Sequence, residues 1–85
     1  MENITDIIRI EVKKFDMHPY DINNGYCEEF ADIIYNKIKD CEIMAFPLES
    51  KYFGHIFIKY NNKYYDAESP YGEIHWKYLP IFRKR

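Results

Sequence analysis

Eighty-five residues are enough for one domain with a modest core and leave no room for a second lobe. Hydrophobic residues make up 47% of the chain and aromatics 19%, which excludes a disordered segment. A net charge of −2 with acids and bases interspersed leaves no nucleic-acid footprint. No apolar run approaches the ~20 residues of a membrane span, and no signal peptide opens the chain. Nine Tyr and six Phe point to an interior filled by rings. With no secretion signal, Cys27 and Cys41 read as reduced thiols of a cytoplasmic protein.

Residues 3–15 are expected to form a first helix. Ile4, Ile7, Ile8 and Phe15 share a stripe, Asn3 or Thr5 can cap the start, and Lys13 and Lys14 suit the negative end of the dipole. Residues 16–25 read as a polar linker, broken by Pro19 and by Asn23-Asn24-Gly25. A second helix is expected over 26–39, with Phe30, Ala31, Ile34 and Ile38 on one side together with Cys27, and with Glu28 and Glu29 at its positive end. Strands follow at 41–46, 52–60 and 63–67, with a connection over 47–51. Residues 68–72 read as a turn. Ile74, Trp76, Leu79, Ile81 and Phe82 form an apolar strap over 74–82, and Arg83-Lys84-Arg85 is a solvated end. The expectation is an α+β domain of two helices on an antiparallel sheet of at least three strands.

The hairpin carries the first chemical signal. Asn61-Asn62 tolerates the positive φ angles of a two-residue turn, which sets Tyr60 opposite Lys63, Phe57 opposite Asp66 and His55 opposite Glu68. Side chains alternate along a strand, so His55, Phe57 and Lys59 share a face with Tyr64, Asp66 and Glu68. His55 and Asp66 are then diagonal neighbours with Cα atoms roughly 7–8 Å apart. An imidazole beside a carboxylate supplies two parts of a nucleophilic triad, with Glu68 the alternative orienting carboxylate. A three-residue turn would slip the register and turn Asp66 away.

The third part is Cys27, in the first turn of the second helix, where the dipole and unpaired N–H groups favour thiolate. The same N–H groups can receive an oxyanion, and Asn24, Asn23 or Asp21 lies just upstream, Asn24 being preferred as a side-chain donor. Laying the Phe30/Ile34 side of this helix on the His55/Phe57 face would bring thiol and imidazole together.

Gly25-Tyr-Cys27-Glu-Glu-Phe-Ala31, then His55-Ile-Phe57, then Tyr65-Asp66, resembles the core of the papain-like superfamily, particularly its transglutaminase-like branch. The likeness covers about half the chain and preserves residue order and element type. It implies Cys27 as nucleophile, His55 as general base and acid, Asp66 as the group orienting His55, and acyl chemistry at amide, ester or isopeptide bonds through a thioester. No cofactor is implied, and the partner expected is a peptide or protein substrate. The chain is also similar to short proteins of phage genomes, which would place it in a host cytoplasm. It departs from the family in lacking a second lobe and a clear upstream oxyanion donor.

Plainer readings stand beside these. An intracellular cysteine is ordinarily a small core hydrophobe, and Cys41 fits that description. His18 and His75 read as surface residues. A zinc site from Cys27, Cys41, His55 and His75 lacks the paired short spacings of structural sites. The principal rival to a hydrolase or acyltransferase is a non-catalytic protein-binding module of the same fold, such as a phage protein engaging a host or defence component. A glutamine deamidase using the same three residues is a further alternative. A small open fold excludes water poorly, which favours hydrolysis over acyl transfer.

Overall fold

The computed structural model describes residues 3–47 and 54–83. Residues 48–51 of the connection expected over 47–51, the first two residues of the expected second strand and the last two of the tail lie outside these residues, while Pro47 closes β1. Three helices precede an antiparallel sheet: α1 (Ile4–Phe15), α2 (Pro19–Gly25) and α3 (Cys27–Lys37), then β1 (Glu42–Pro47), β2 (Gly54–Tyr60), β3 (Lys63–Asp66) and β4 (Ser69–Glu73). The sheet runs in the order β1-β2-β3-β4, and two 3₁₀ turns, Trp76–Tyr78 and Pro80–Phe82, close the described chain. This confirms the α+β class while enlarging it, since two helices and at least three strands were expected.

The additional helix is α2, in the stretch read as a linker. Pro19 opens it at a position where a missing N–H costs nothing, and the Nδ1 of His18 accepts from the Tyr20 N–H at 3.1 Å as its cap. Asn23-Asn24-Gly25 does not break the chain before the helix; it forms its last turn. At α1 the cap is Asn3, whose side chain accepts from Asp6 N at 2.9 Å. Beyond the hairpin, the residues read as a turn instead form β4. There Gly72 has φ +83, and a Cβ at that position would stand 2.7 Å from the buried Tyr65 ring.

Both faces of the sheet are covered. Ile4, Ile8, Ile22, Phe30, Ala31 and Ile34 from the helices form one core with Ile58, Tyr65 and Ala67, and Ile56 and Tyr60 pack against it. Full burial of aliphatic side chains of this size contributes about 1.5–3 kcal/mol each. On the other face, rings pack in sequence: Phe46 stacks on Trp76 at 4.5 Å and on Phe57 at 5.9 Å, and Phe82 meets the edges of Trp76, Phe57 and His55 at 5.0, 5.8 and 5.6 Å. Leu79 is wholly buried, so the C-terminal strap does lie on the body. Ile74 does not belong to it, being 75% exposed.

The helices therefore cover the Ile56/Ile58 face, not the His55/Phe57 face on which α3 was expected. The physical reason lies in β2 itself, which is apolar on both sides. Its Ile56 and Ile58 suit the aliphatic helix stripes, while its Phe57 and His55 suit the rings of the strap.

Candidate active site

Asn61 and Asn62 adopt φ 52 and 64, the left-handed pair of a two-residue hairpin turn. Tyr60 pairs with Lys63, Lys59 with Tyr64 and Ile58 with Tyr65, the register expected from the turn. Within this frame His55 and Asp66 meet: Nε2 of the ring donates to Oδ2 of the carboxylate at 2.9 Å, with both residues buried. The second carboxylate oxygen, Oδ1, accepts the Glu68 backbone N–H at 3.0 Å.

Cys27 comes beside the His55 ring although α3 lies on the other face of the sheet. Pairing between β2 and β3 extends no further than Ile58 and Tyr65, which leaves the β3-side edge of β2 open upstream of Ile58. The first turn of α3 comes in at that edge, so the thiol lies beside His55 and the Ile56 N–H. The meeting occurs at an edge between the two layers. Nδ1 of His55 is buried and forms no hydrogen bond of ordinary geometry among the described residues, so the ring nitrogen not bound to Asp66 is uncommitted.

The electrostatics favour charge separation across the pair. Burial pushes the Cys27 thiol up, but its interaction with His55 and the backbone N–H groups of Ile56 and Glu28 outweigh this and hold it below the ordinary thiol range. Burial lowers His55, yet the Asp66 hydrogen bond and charge, together with Cys27, carry it above the ordinary imidazole range. Cys41 goes the other way: burial and the neighbouring Asp40 charge raise it, and its thiol donates to the Ile38 carbonyl at 3.3 Å. One cysteine is thus half-buried with its thiol lowered, the other buried with its thiol raised.

The remaining expected residues fall as follows. Glu68 does not face His55, because β3 ends at Asp66 and the chain turns at once. Its carboxylate instead accepts from Nδ2 of the buried Asn23 at 2.8 Å. Asn24, preferred as an oxyanion donor, is exposed and donates back to the Tyr20 carbonyl at 2.7 Å, within its own helix. Asp21 is exposed on α2. His18 and His75 are exposed caps. No cluster of metal-ligating side chains occurs among the described residues. Gly25 needs no special backbone conformation, and a Cβ there would meet nothing within 4 Å.

A small void of about 10 Å³ is lined by Cys27, Asn23, Asp66 and surrounding apolar side chains. A larger groove of about 830 Å³ lies elsewhere, between α1, the start of α2 and the β3–β4 turn, with Arg9, Ile10, Lys13, Pro19, Glu68 and Pro70 along it. Among the described residues, no helix is long and apolar enough to cross a membrane. Comparison with family models, with curated proteins and with solved structures finds no match for this chain.

Proposed function

We propose that this chain is a thiol-dependent hydrolase or acyltransferase acting on an amide, isopeptide or ester bond through a thioester on Cys27, built on a minimal papain-like, transglutaminase-like core. The observation that carries the reading is the buried His55–Asp66 pair, whose ring interacts with a cysteine held below the ordinary thiol range. The chain order of cysteine at a helix start, then histidine and aspartate on successive strands, also fits that core.

Asp66 accepts at Nε2, so the neutral imidazole keeps its proton there and offers the Nδ1 lone pair to the thiol. Proton transfer from Sγ to Nδ1 gives a thiolate and an imidazolium. The thiolate attacks the substrate carbonyl carbon, and the oxyanion forms beside the first-turn N–H groups of α3, a helix with no side-chain cap. A well-aimed donor is worth about 3–4 kcal/mol in such a step. As the tetrahedral centre collapses, Nδ1–H passes its proton to the leaving nitrogen or oxygen, leaving the thioester. Water, or an acceptor amine, then loses a proton to Nδ1, attacks the thioester and expels the thiolate. A protein glutamine would yield glutamate by the same steps, with ammonia as the leaving group.

Two measurements test this. Alkylation by iodoacetamide, resolved by site with peptide mass spectrometry across pH, is expected to label Cys27 faster than Cys41, with a midpoint below that of an ordinary thiol. Exposure to p-nitrophenyl acetate is expected to leave an acetyl thioester on Cys27 and not on Cys41. Equal, slow labelling of the two thiols with no acyl adduct would sink the enzyme. It would favour the second reading, a protein-binding module of the same fold, for which Tyr71 at 65% and Ile74 at 75% exposure offer the contact surface.

A further inference from the structure

Asp66 orients His55, and the sheet holds Asp66 from one side only, through its pairing with Ser69 of β4. The β2–β3 ladder ends at Tyr65, one residue short of it, and the pairing of β3 with β4 is irregular between Tyr64 and Asp66. The carboxylate therefore stands where the regular hydrogen-bond pattern fades. What holds its outer oxygen is the Glu68 N–H at 3.0 Å, in the two-residue turn that follows. That turn is in turn tied to the helical layer: the Glu68 carboxylate accepts Nδ2 of Asn23 at 2.8 Å, across 45 positions of sequence. Asn23 is only 3% exposed and sits on α2, whose end leads directly into Cys27. One residue thus links the helix that delivers the nucleophile to the turn that carries the orienting carboxylate.

We propose that Glu68 is a positioning residue for the Cys27–His55–Asp66 centre, its main chain aiming the Asp66 carboxylate and its side chain anchored by Asn23. The role presupposes that this centre is the acyl-transfer site proposed above. The role is one of geometry: the Glu68 N–H holds Oδ1 of Asp66, and the Glu68 side chain accepts from Asn23. A buried amide deprived of its acceptor is costly, so the Asn23–Glu68 bond is strongly favoured in the folded state.

The test pairs two readouts: NMR titration of the His55 ring nitrogens, which reports the His55–Asp66 contact, and pH-resolved alkylation of Cys27. In Glu68→Ala, the His55 midpoint is expected to fall and the Cys27 midpoint to rise by about one pH unit, a tenfold loss of thiolate below both midpoints. Glu68→Gln, which loses the charge but keeps an acceptor for Asn23, is expected to stay near wild type. Asn23→Ala should reproduce the Glu68→Ala shifts, and the double variant should add nothing further. If Glu68→Ala fails to fold by circular dichroism, Glu68→Met replaces it, keeping the stem without the acceptor. An unchanged His55 titration in the folded variant overturns the proposal, as does a Glu68→Gln shift equal to that of the acceptor-less variant. A wild-type Cys27 that reacts as an ordinary thiol would defeat the acyl-transfer reading instead, while the His55 titration would still report on the brace.

Discussion

His55 holds two ring nitrogens in unlike surroundings, Nε2 bound at 2.9 Å to a buried carboxylate and Nδ1 buried without a hydrogen bond of ordinary geometry among the described residues. Replacing Asp66 by Asn keeps the shape and removes the charge that raises His55. The amide can also present its NH₂ to Nε2, which would push the ring proton onto Nδ1 and block its use as a base. Asp66→Asn is therefore expected to lower the His55 midpoint, raise that of Cys27 and slow alkylation at pH 7 by about tenfold or more. NMR titration and site-resolved alkylation check both shifts; a Cys27 profile unmoved by this change would mean that His55 does not control the thiol. Much of this constellation could be read from the residues alone, because Asn61-Asn62 as a two-residue turn sets a register that carries His55 to Asp66. The place of Glu68 could not, since it depends on the chain turning immediately after Asp66. Nor could that of Asn24, whose amide satisfies its own helix.

At the level of elements, the glycines of the site region separate into one that is needed and one that is not. Gly72 combines a left-handed φ of +83 with a Tyr65 ring that a methyl group would strike, so Gly72→Ala must shift β4 or push the ring into the core. The left-handed strain alone costs roughly 1–2 kcal/mol, and urea unfolding is expected to show at least that loss. Gly25, at the end of α2 beside open space, asks nothing of its backbone. Gly25→Ala is expected to leave stability unchanged or raise it by about 0.5–1 kcal/mol, the helix-interior difference between the two residues. A destabilisation there would mean that the α2–α3 junction uses the glycine in a way its φ and surroundings do not reveal. Helix α2 and strand β4 escaped the sequence reading for related reasons. The helix is held by a histidine cap and a leading proline rather than by apolar periodicity, and the strand reads Ser-Pro-Tyr-Gly-Glu, a run of turn formers. The long amphipathic helices and the hairpin, whose signals are periodic, were legible. Which face of the sheet would receive α3 was not, because both faces of β2 are apolar and the choice rests on what the C-terminal strap covers.

For the molecule as a whole, the site couples protonation to folding with two opposing signs. The folded value of His55 is raised, so its stabilisation is complete below about pH 6.5 and fades as pH climbs through the folded value. That of Cys27 is depressed, so its stabilisation is complete above about pH 8.5 and is lost as pH falls through the folded value. Between those limits one contribution declines as the other grows, so the two oppose each other in the unfolding free energy. Cys27→Ala deletes the rising contribution together with the part of the His55 shift that Cys27 supplies, and leaves the Asp66 part in place. Relative to wild type, this variant is expected to lose stability progressively from about pH 6.5 to 8.5. Urea unfolding of both proteins at several pH values measures the difference directly, and contributions of groups that the substitution does not touch, such as Cys41, cancel in it. A difference that stays constant across the interval would count against a thiol whose folded value is depressed, and so against the nucleophile that the proposed acyl chemistry requires.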